Sequence, residues 1–308
     1  MADAGGRPRR VGFAGTSAWA ATALTELAAR SELEIAVVLT QPDTRAGRGR
    51  ELAPPPVAVR ARELGLPVLQ PARPADALDD LRAADVAAFA LVAYGGLVPR
   101  PLLDLAPWFN VHPSLLPLWR GAAPIERALM AGERELGVAI MLMVEALDAG
   151  PVAALERFEV SSDADAGWVY ALALALALDP LVAALIGDDV PTVPQVGEPS
   201  YAQRILASDR ALDPSRTARE LHDQVRALSP LIGARLQLGG APFTVWRTRP
   251  SDAEAAPRSL ARIVGRLLLG CADGALELCE LQPPGKASMP AADWLRGVRG
   301  PLPAVGAA

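Results

Sequence analysis

The first half of the chain alternates between short apolar runs and longer segments of helical composition. The apolar runs have the composition of buried strands and lie at residues 10–15, 35–39, 86–94 and 138–144. Helical composition follows Thr16 and covers residues 56–63. Strands that alternate with helices predict an α/β domain with a Rossmann-like, doubly wound and mostly parallel sheet, in which ligands bind at the carboxyl ends of the strands.

The second half has a different pattern. A proline-rich stretch at residues 188–199 is typical of a linker, and a helical segment follows at residues 215–227. Short strand-like runs then come at residues 234–238, 243–248, 263–269 and 275–281. This spacing is typical of a small β-barrel. We therefore predict a first domain over residues 1–190, a linker over 191–207 and a smaller C-terminal domain over 208–308.

Composition and charge exclude several classes of protein. With 51% hydrophobic and 21% charged residues the chain is globular, and its net charge of −5 argues against coating nucleic acid through overall positive charge. Residues 207–308 nevertheless hold 13 basic and 10 acidic side chains, a net +3, whereas residues 1–206 hold 17 and 25, a net −8. The C-terminal third could therefore contact a polyanion.

The sequence also bears on compartment and membrane. The longest apolar run, residues 169–178, ends at Asp179, well short of the ~20 residues that cross a bilayer. Two cysteines form neither a disulfide framework nor a four-ligand zinc site, and the first ten residues lack the apolar core of a signal peptide. We expect a cytoplasmic protein that makes no membrane contact.

Candidate chemistry centres on one of two histidines. His222 lies in a helical pattern, where we expect an exposed or capping role. Asn110 and His112 stand two residues apart in an extended segment and share one face, and Asp148 follows a strand. An amide, an imidazole and a carboxylate suit acyl transfer to an amine. Turn residues and an Asx-turn explain the same spacing equally well.

Three motifs favour the catalytic interpretation. Residues 110–117 (Asn-x-His-x-Ser-Leu-Leu-Pro), 119–125 and 147–150 together resemble the 10-formyltetrahydrofolate-dependent formyltransferases. Further segments resemble the members that act on initiator tRNA, namely residues 13–16, 40–43, 46–49 and 281–286. The resemblance covers residues 10–299. Gly12 and Gly15 lack the third glycine of a dinucleotide fingerprint, so we expect them to permit close approach of substrate or helix–strand packing.

The resemblance implies roles for individual residues. Asn110 and His112 would polarise the formyl oxygen and stabilise the oxyanion, while Asp148 would keep His112 suitably charged and help to remove protons from the amine. Residues that would bind the folate donor are Tyr94, Gly95, Gly96, Leu97, Ser114, Leu115, Leu116, Pro117, Val144, Glu145 and Leu147. Residues that would contact tRNA are Arg45, Arg48, Arg50, Arg247 and Lys286. By composition alone the arginine segment favours a solvated, flexible loop over a binding loop, and the resemblance reverses that preference.

The activity that the resemblance implies is transfer of a formyl group from 10-formyltetrahydrofolate to the free amino group of methionyl initiator tRNA, for translation initiation. The C-terminal barrel would be OB-like and bind tRNA, no metal would take part, and the chain would act as a monomer. Two alternatives stay open. One keeps the donor but uses a small amine, such as a nucleotide-linked amino sugar; the other is a non-catalytic RNA-binding protein.

Overall fold

The computed structural model of the chain describes residues 7–46 and 51–306. Its strands are β1 (Arg9–Gly15), β2 (Leu33–Leu39), β3 (Thr44–Ala46), β4 (Glu51–Ala53), β5 (Val68–Leu69), β6 (Ala88–Val92), β7 (Trp108–His112), β8 (Arg120–Gly121), β9 (Glu135–Leu142), β10 (Val152–Glu159), β11 (Tyr201–Ala202), β12 (Ala234–Leu238), β13 (Ala241–Ser251), β14 (Leu260–Ile263), β15 (Arg266–Gly270), β16 (Ala275–Gln282) and β17 (Met289–Pro290). Its helices are α1 (Ala18–Ala28), α2 (Pro56–Glu63), α3 (Leu78–Ala83), α4 (Arg100–Leu103), α5 (Pro124–Met130), α6 (Ala166–Ile186), α7 (Ala218–Leu228) and α8 (Ala291–Gly297).

The chain divides into two compact units. The first comprises the described residues up to Ala122 together with Gly137–Phe158 and Tyr170–Tyr201. The second comprises Ala123–Leu136, Glu159–Val169 and the described residues from Ala202 onward. The predicted domain limits at residues 190 and 208 stay a prediction.

A seven-stranded sheet in the order β10-β9-β7-β6-β1-β2-β5 forms the centre of the first unit. The ladders from β5 through β2, β1 and β6 to β7 are parallel, and β9 then runs antiparallel to β7. The chain begins at the middle of the sheet and winds outward in both directions, as doubly wound sheets do. The predicted α/β class with a mostly parallel sheet is confirmed.

Glycines bring the first helix and the sheet close together. A Cβ at Gly15 would lie 2.8 Å from Ala20 Cβ of α1, and one at Gly12 would lie 2.2 Å from the ring of Phe89 on β6. Ser17 caps α1, because its side chain accepts a hydrogen bond from the backbone N–H of Ala20 at 3.2 Å. Of the two expected uses of this turn, the structure supports close packing.

Helix α6 is apolar on most of its circumference. In the described part of the chain it is the one helix that is long and apolar enough to cross a membrane. Ala173, Leu174, Ala177 and Leu181 are nevertheless buried in the core of the first unit. The helix also continues beyond Asp179, which pairs with Arg30 at 2.6 Å. Burial in this core accounts for the apolar residues on that face of the helix.

The second unit contains an antiparallel sheet in the order β12-β13-β16-β15-β14, with β17 paired to β16. Helix α7 covers it and starts at a capping box formed by Thr217 and Glu220. The predicted strand over residues 234–238 is confirmed as β12. The single strand predicted over residues 263–269 is wrong, since Val264 and Gly265 both have positive φ and form a turn between β14 and β15.

Candidate active site

Strand β7 carries Asn110 and His112 inside the sheet of the first unit. It lies between β6 and β9, where Asn110 is opposite Met141 and His112 is opposite Ala139. Both residues are buried, since only 7% of the surface of Asn110 and 4% of that of His112 is exposed to solvent. Because side chains alternate along a strand, both project from the same face, as the sequence predicts.

Asp148 lies in the loop between β9 and β10, next to His112. Its carboxylate Oδ2 is 3.8 Å from His112 Nδ1 and accepts a hydrogen bond from the backbone N–H of Gly121 at 2.8 Å. The backbone of Asp148 is in the left-handed region, with φ +47°. A separation of 3.8 Å exceeds hydrogen-bond length, so the contact is electrostatic in the free protein. The structure thus brings together the three residues predicted from sequence.

The surroundings of His112 set its protonation. Its Nε2 lies 3.0 Å from the carbonyl oxygen of Trp119, and a carbonyl can only accept, so Nε2 carries the proton. Burial lowers the pKa of His112 below its ordinary value, against the opposing effects of the Asp148 carboxylate and the Trp119 carbonyl. This direction favours the neutral imidazole, in which the unprotonated Nδ1 faces Asp148.

This arrangement can accept a proton and stabilise the charge that results. A proton taken up on Nδ1 would lie beside the Asp148 carboxylate, which favours the imidazolium. The Asn110 amide on the same face provides an N–H donor for a developing oxyanion. The described residues include no group of three or more His, Cys, Asp or Glu side chains that could hold a metal ion.

The candidate folate-binding residues lie on three loops of the first unit. Tyr94 to Leu97 follow β6, and Tyr94 is buried while Leu97 is 73% exposed. Val144, Glu145 and Leu147 follow β9, with Val144 41% and Leu147 63% exposed. Large apolar side chains with this exposure are suited to contact with a flat, apolar ligand.

The loop after β7 supplies the third group. Ser114 is buried and donates its hydroxyl to the carbonyl oxygen of Leu118 at 2.7 Å. Leu116 packs against Ala139 and Met141 of β9. Leu115 is half-buried and Pro117 is buried. These residues shape the chain beside Asn110 and His112, and only part of their surface is open to a ligand.

The candidate tRNA residues lie apart in the chain. Arg45 is exposed on β3, and Arg48 and Arg50 lie outside the described residues. Arg247 is exposed on β13 and Lys286 is exposed after β16, both in the second unit. Their roles stay predictions.

His222 differs from its prediction. It is buried in the second unit, with Nδ1 3.0 Å from Thr248 Oγ1 and Nε2 2.9 Å from the carbonyl oxygen of Ser162. The expected exposed or capping role is wrong, because its helix face is covered by β13 and by residues 162–165. His222 lines a cleft of about 570 Å³ together with Trp246, Arg247 and Arg249.

Sequence reasoning missed two residues that hydrogen-bond to the backbone of the loops around the site. Gln195 donates from Nε2 to the carbonyl oxygens of Asp148 and Gly150, each at 2.8 Å. Ser200 Oγ accepts from the backbone N–H of Trp119 at 2.8 Å. Both lie in the segment predicted as a linker, where composition gives no signal of a partner about 50 or more residues away in the chain.

Comparison of the sequence with protein families and with related proteins identifies formyl transferases. Residues 9–185 match the family model described as formyl transferase, and residues 204–299 match the model described as formyl transferase, C-terminal domain. The methionyl-tRNA formyltransferase of Leifsonia xyli subsp. xyli is 42% identical over 298 residues, which cover 94% of this chain and 98% of that protein.

Two solved structures share the fold. HypX from Aquifex aeolicus in complex with tetrahydrofolic acid superposes with a TM-score of 0.68 at 17% identity, over 96% of this chain and 50% of HypX. This chain therefore corresponds to about half of HypX. Methionyl-tRNA formyltransferase from Clostridium thermocellum gives a TM-score of 0.59 at 12% identity, over 81% of this chain and 96% of that one.

The matched models cover most of the chain, and the relative is similar along nearly its full length. The motif residues of the resemblance also meet in space, on β7 and the loop after β9. The chain belongs to the formyl transferase family.

Proposed function

We propose that this chain transfers the formyl group of 10-formyltetrahydrofolate to the free amino group of methionine on initiator tRNA, giving N-formylmethionyl-tRNA. The observation that carries the proposal is the buried pair Asn110 and His112 next to the half-buried Asp148, in a chain 42% identical to a methionyl-tRNA formyltransferase over 94% of its length. The folate bound by HypX, a protein of the same fold, supports a folate-type donor.

The donor, when bound, supplies an electrophilic formyl carbon. The Asn110 amide donates a hydrogen bond to the formyl oxygen and stabilises the negative charge that develops there as the amine attacks. His112 takes the proton of the attacking amine on Nδ1, and Asp148, 3.8 Å away, stabilises the resulting imidazolium. The imidazolium then adds to the stabilisation of the oxyanion and returns a proton to the departing nitrogen.

The loops around this group fit the donor. The exposed side chains of Leu97, Val144 and Leu147 offer apolar contacts to a ring system. Gly95 has φ +74° and no atom within 4 Å of a built Cβ, so the backbone there is open to a ligand. Backbone N–H and C=O groups of these loops would select the hydrogen-bonding edge of the ring.

Contact with tRNA is assigned to the arginines. Arg247 and the nearby Arg249 are exposed, and among the described residues neither guanidinium has a hydrogen-bond or ion-pair partner. Guanidinium groups in this state are available for phosphates. Lys286 would add to them from the same unit, and Arg45, Arg48 and Arg50 would contact the acceptor arm.

The chain would act in the cytoplasm as a monomer. Residues 1–190 would form the catalytic domain, residues 191–207 a linker, and residues 208–308 an OB-like domain for tRNA.

The test is mass spectrometry of the aminoacyl ester after incubation with 10-formyltetrahydrofolate and methionyl initiator tRNA. Methionyl elongator tRNA is the matched control substrate, and Asn110→Ala is the control for catalysis. Formylation of the initiator alone is the expected result. If neither tRNA gains a formyl group while the donor binds, the proposal fails and a small-amine acceptor takes its place.

A further inference from the structure

The loop that carries Asp148 needs support from outside itself. Asp148 has φ +47°, in the left-handed region, which residues other than glycine adopt less readily. Two residues later, Gly150 packs directly against the end of β9. A Cβ at Gly150 would lie 1.7 Å from the carbonyl oxygen of Leu142. Hydrogen bonds from neighbouring groups help to maintain such a loop conformation.

Gln195 provides that support with every hydrogen-bonding group of its side chain. Its Nε2 donates to the carbonyl oxygens of Asp148 and Gly150, both at 2.8 Å. Its Oε1 accepts from Arg120 Nε at 3.2 Å and from Arg120 Nη2 at 2.7 Å. A guanidinium only donates and a carbonyl only accepts, so the partners fix which end of the amide faces which loop.

Arg120 connects Gln195 to the other half of the site. It stands between Trp119, whose carbonyl accepts from His112 Nε2, and Gly121, whose N–H donates to the Asp148 carboxylate. Gln195 therefore joins the segment that orients His112 to the loop that presents Asp148. A change at Gln195 would alter both ends of the His112–Asp148 pair.

We propose that Gln195 is a positioning residue for formyl transfer, which holds the Asp148 carboxylate against His112 Nδ1 by bridging Arg120 to the Asp148–Gly150 loop. This inference rests on the proposed function. Gln195 itself touches no reacting atom. Its effect should therefore fall on the rate of the chemical step rather than on the binding of either substrate.

Kinetics provide the first test. Gln195→Met keeps the length of the side chain and removes all four hydrogen bonds, whereas Gln195→Glu keeps an acceptor for Arg120 and loses both donors. We expect each variant to lower kcat by roughly 10-fold to 100-fold with little change in either KM, because small displacements of catalytic groups have costs of this order. Gln203→Met, at an exposed glutamine, is the matched control and should leave kcat unchanged.

The second test needs no turnover. The chain has two histidines, so nuclear magnetic resonance of the imidazole rings gives two titrations, and the His222 signal is an internal reference. The Asp148 carboxylate raises the pKa of His112, so release of its loop should lower that pKa in Gln195→Met and leave the pKa of His222 unchanged.

The outcomes separate the two proposals. If the wild-type chain does not formylate initiator tRNA, the proposed function fails, while the titrations still show whether Gln195 holds Asp148. A folded Gln195→Met variant with the wild-type kcat and the wild-type His112 titration would overturn the positioning role. A rise in KM alone would overturn it as well. Should Gln195→Met not fold, the same criteria apply to Gln195→Glu.

Discussion

At the scale of the residue, the site depends on polar side chains kept inside a sheet. Asn110 and His112 are almost fully buried, where an amide or an imidazole lowers the free energy of unfolding unless it forms hydrogen bonds. The same burial makes their interaction with a developing charge stronger than it would be in water.

Replacing Asn110 tests its share of catalysis. We expect Asn110→Ala to lower kcat by about 10²- to 10³-fold, the range typical for an oxyanion donor, while folate binding and Tm stay near the wild-type values. Steady-state kinetics and thermal unfolding measure the two effects. Turnover close to wild type would remove Asn110 from the catalytic group.

The two buried histidines should lower the stability of the folded chain as the pH falls. Burial lowers the pKa of both His112 and His222, so the unfolded chain binds more protons than the folded chain just below pH 6.5. The free energy of unfolding should therefore fall as the pH drops from 7.5 to 5.5, by at most about 1.4 kcal/mol per pH unit for each histidine. Carboxylates with a lowered pKa, such as Asp209, lose their contribution at lower pH.

Urea unfolding at the two pH values measures this loss. His222→Gln removes one of the two titrating groups, and we expect a smaller difference between pH 7.5 and pH 5.5 in that variant. An equal difference in both proteins would show that His222 does not contribute.

Sequence reasoning succeeded at this scale where the signal is local. Asn110 and His112 lie two residues apart on one strand, and alternation places them together. Gln195 gives no such signal, because its partners Arg120 and Asp148 are distant in the chain and it lies in a proline-rich stretch, between Pro194 and Val196. The burial of His222 by residues 162–165 is hidden for the same reason.

At the scale of the element, packing against glycine determines how close strands and helices come. Gly12 of β1 faces Phe89, which is fully buried and stacks on Trp108 with ring centroids 4.0 Å apart. The stacked rings have no room to move away from an added methyl group.

Gly12→Ala should therefore destabilise the first unit by about 1–3 kcal/mol, as overpacking of a core does. Gly297→Ala is the matched control, since a built Cβ there meets no atom within 4 Å, and it should change stability by less than about 1 kcal/mol. Thermal or urea unfolding compares them. Equal stability of the two variants would show that the sheet shifts to accommodate a methyl group at Gly12.

Elements were predictable from sequence where pattern and breakers agree. Residues 234–238 alternate and become β12, and residues 56–63 become α2. The apolar Val264 makes residues 263–269 resemble a single strand, although Val264 lies in the turn and is 94% exposed. Valine is typical of strands, so the sequence does not indicate that Val264, with φ +46°, is the first residue of a turn.

At the scale of the whole molecule, the second unit is formed by three separate segments of the chain. Helix α5 belongs to the second unit, and Arg127 on α5 pairs with Asp209 at 2.7 Å and donates to the carbonyl oxygen of Gln203 at 3.0 Å. The carbonyl of Ser162 is a partner of His222 on α7. These segments precede the C-terminal region in sequence but pack within the same unit.

Removal of residues 202–308 should therefore do more than remove a tRNA-binding surface. The fragment keeps α5 and residues 159–169 but loses the side chains that cover them, so we expect a lower Tm and association through the uncovered apolar face. Calorimetry and size-exclusion chromatography compare fragment and full chain. A monomeric fragment with the full-length Tm would show that α5 needs no partner from the C-terminal region.

The exposed leucines and valine beside the active site also affect the temperature dependence of binding. Leu97, Val144 and Leu147 keep apolar surface in water until a ligand covers it. Covering such surface lowers the heat capacity by about 0.45 cal/K/mol for each Å². Donor binding should then become more exothermic as temperature rises, and a van't Hoff plot of its affinity should be curved rather than straight.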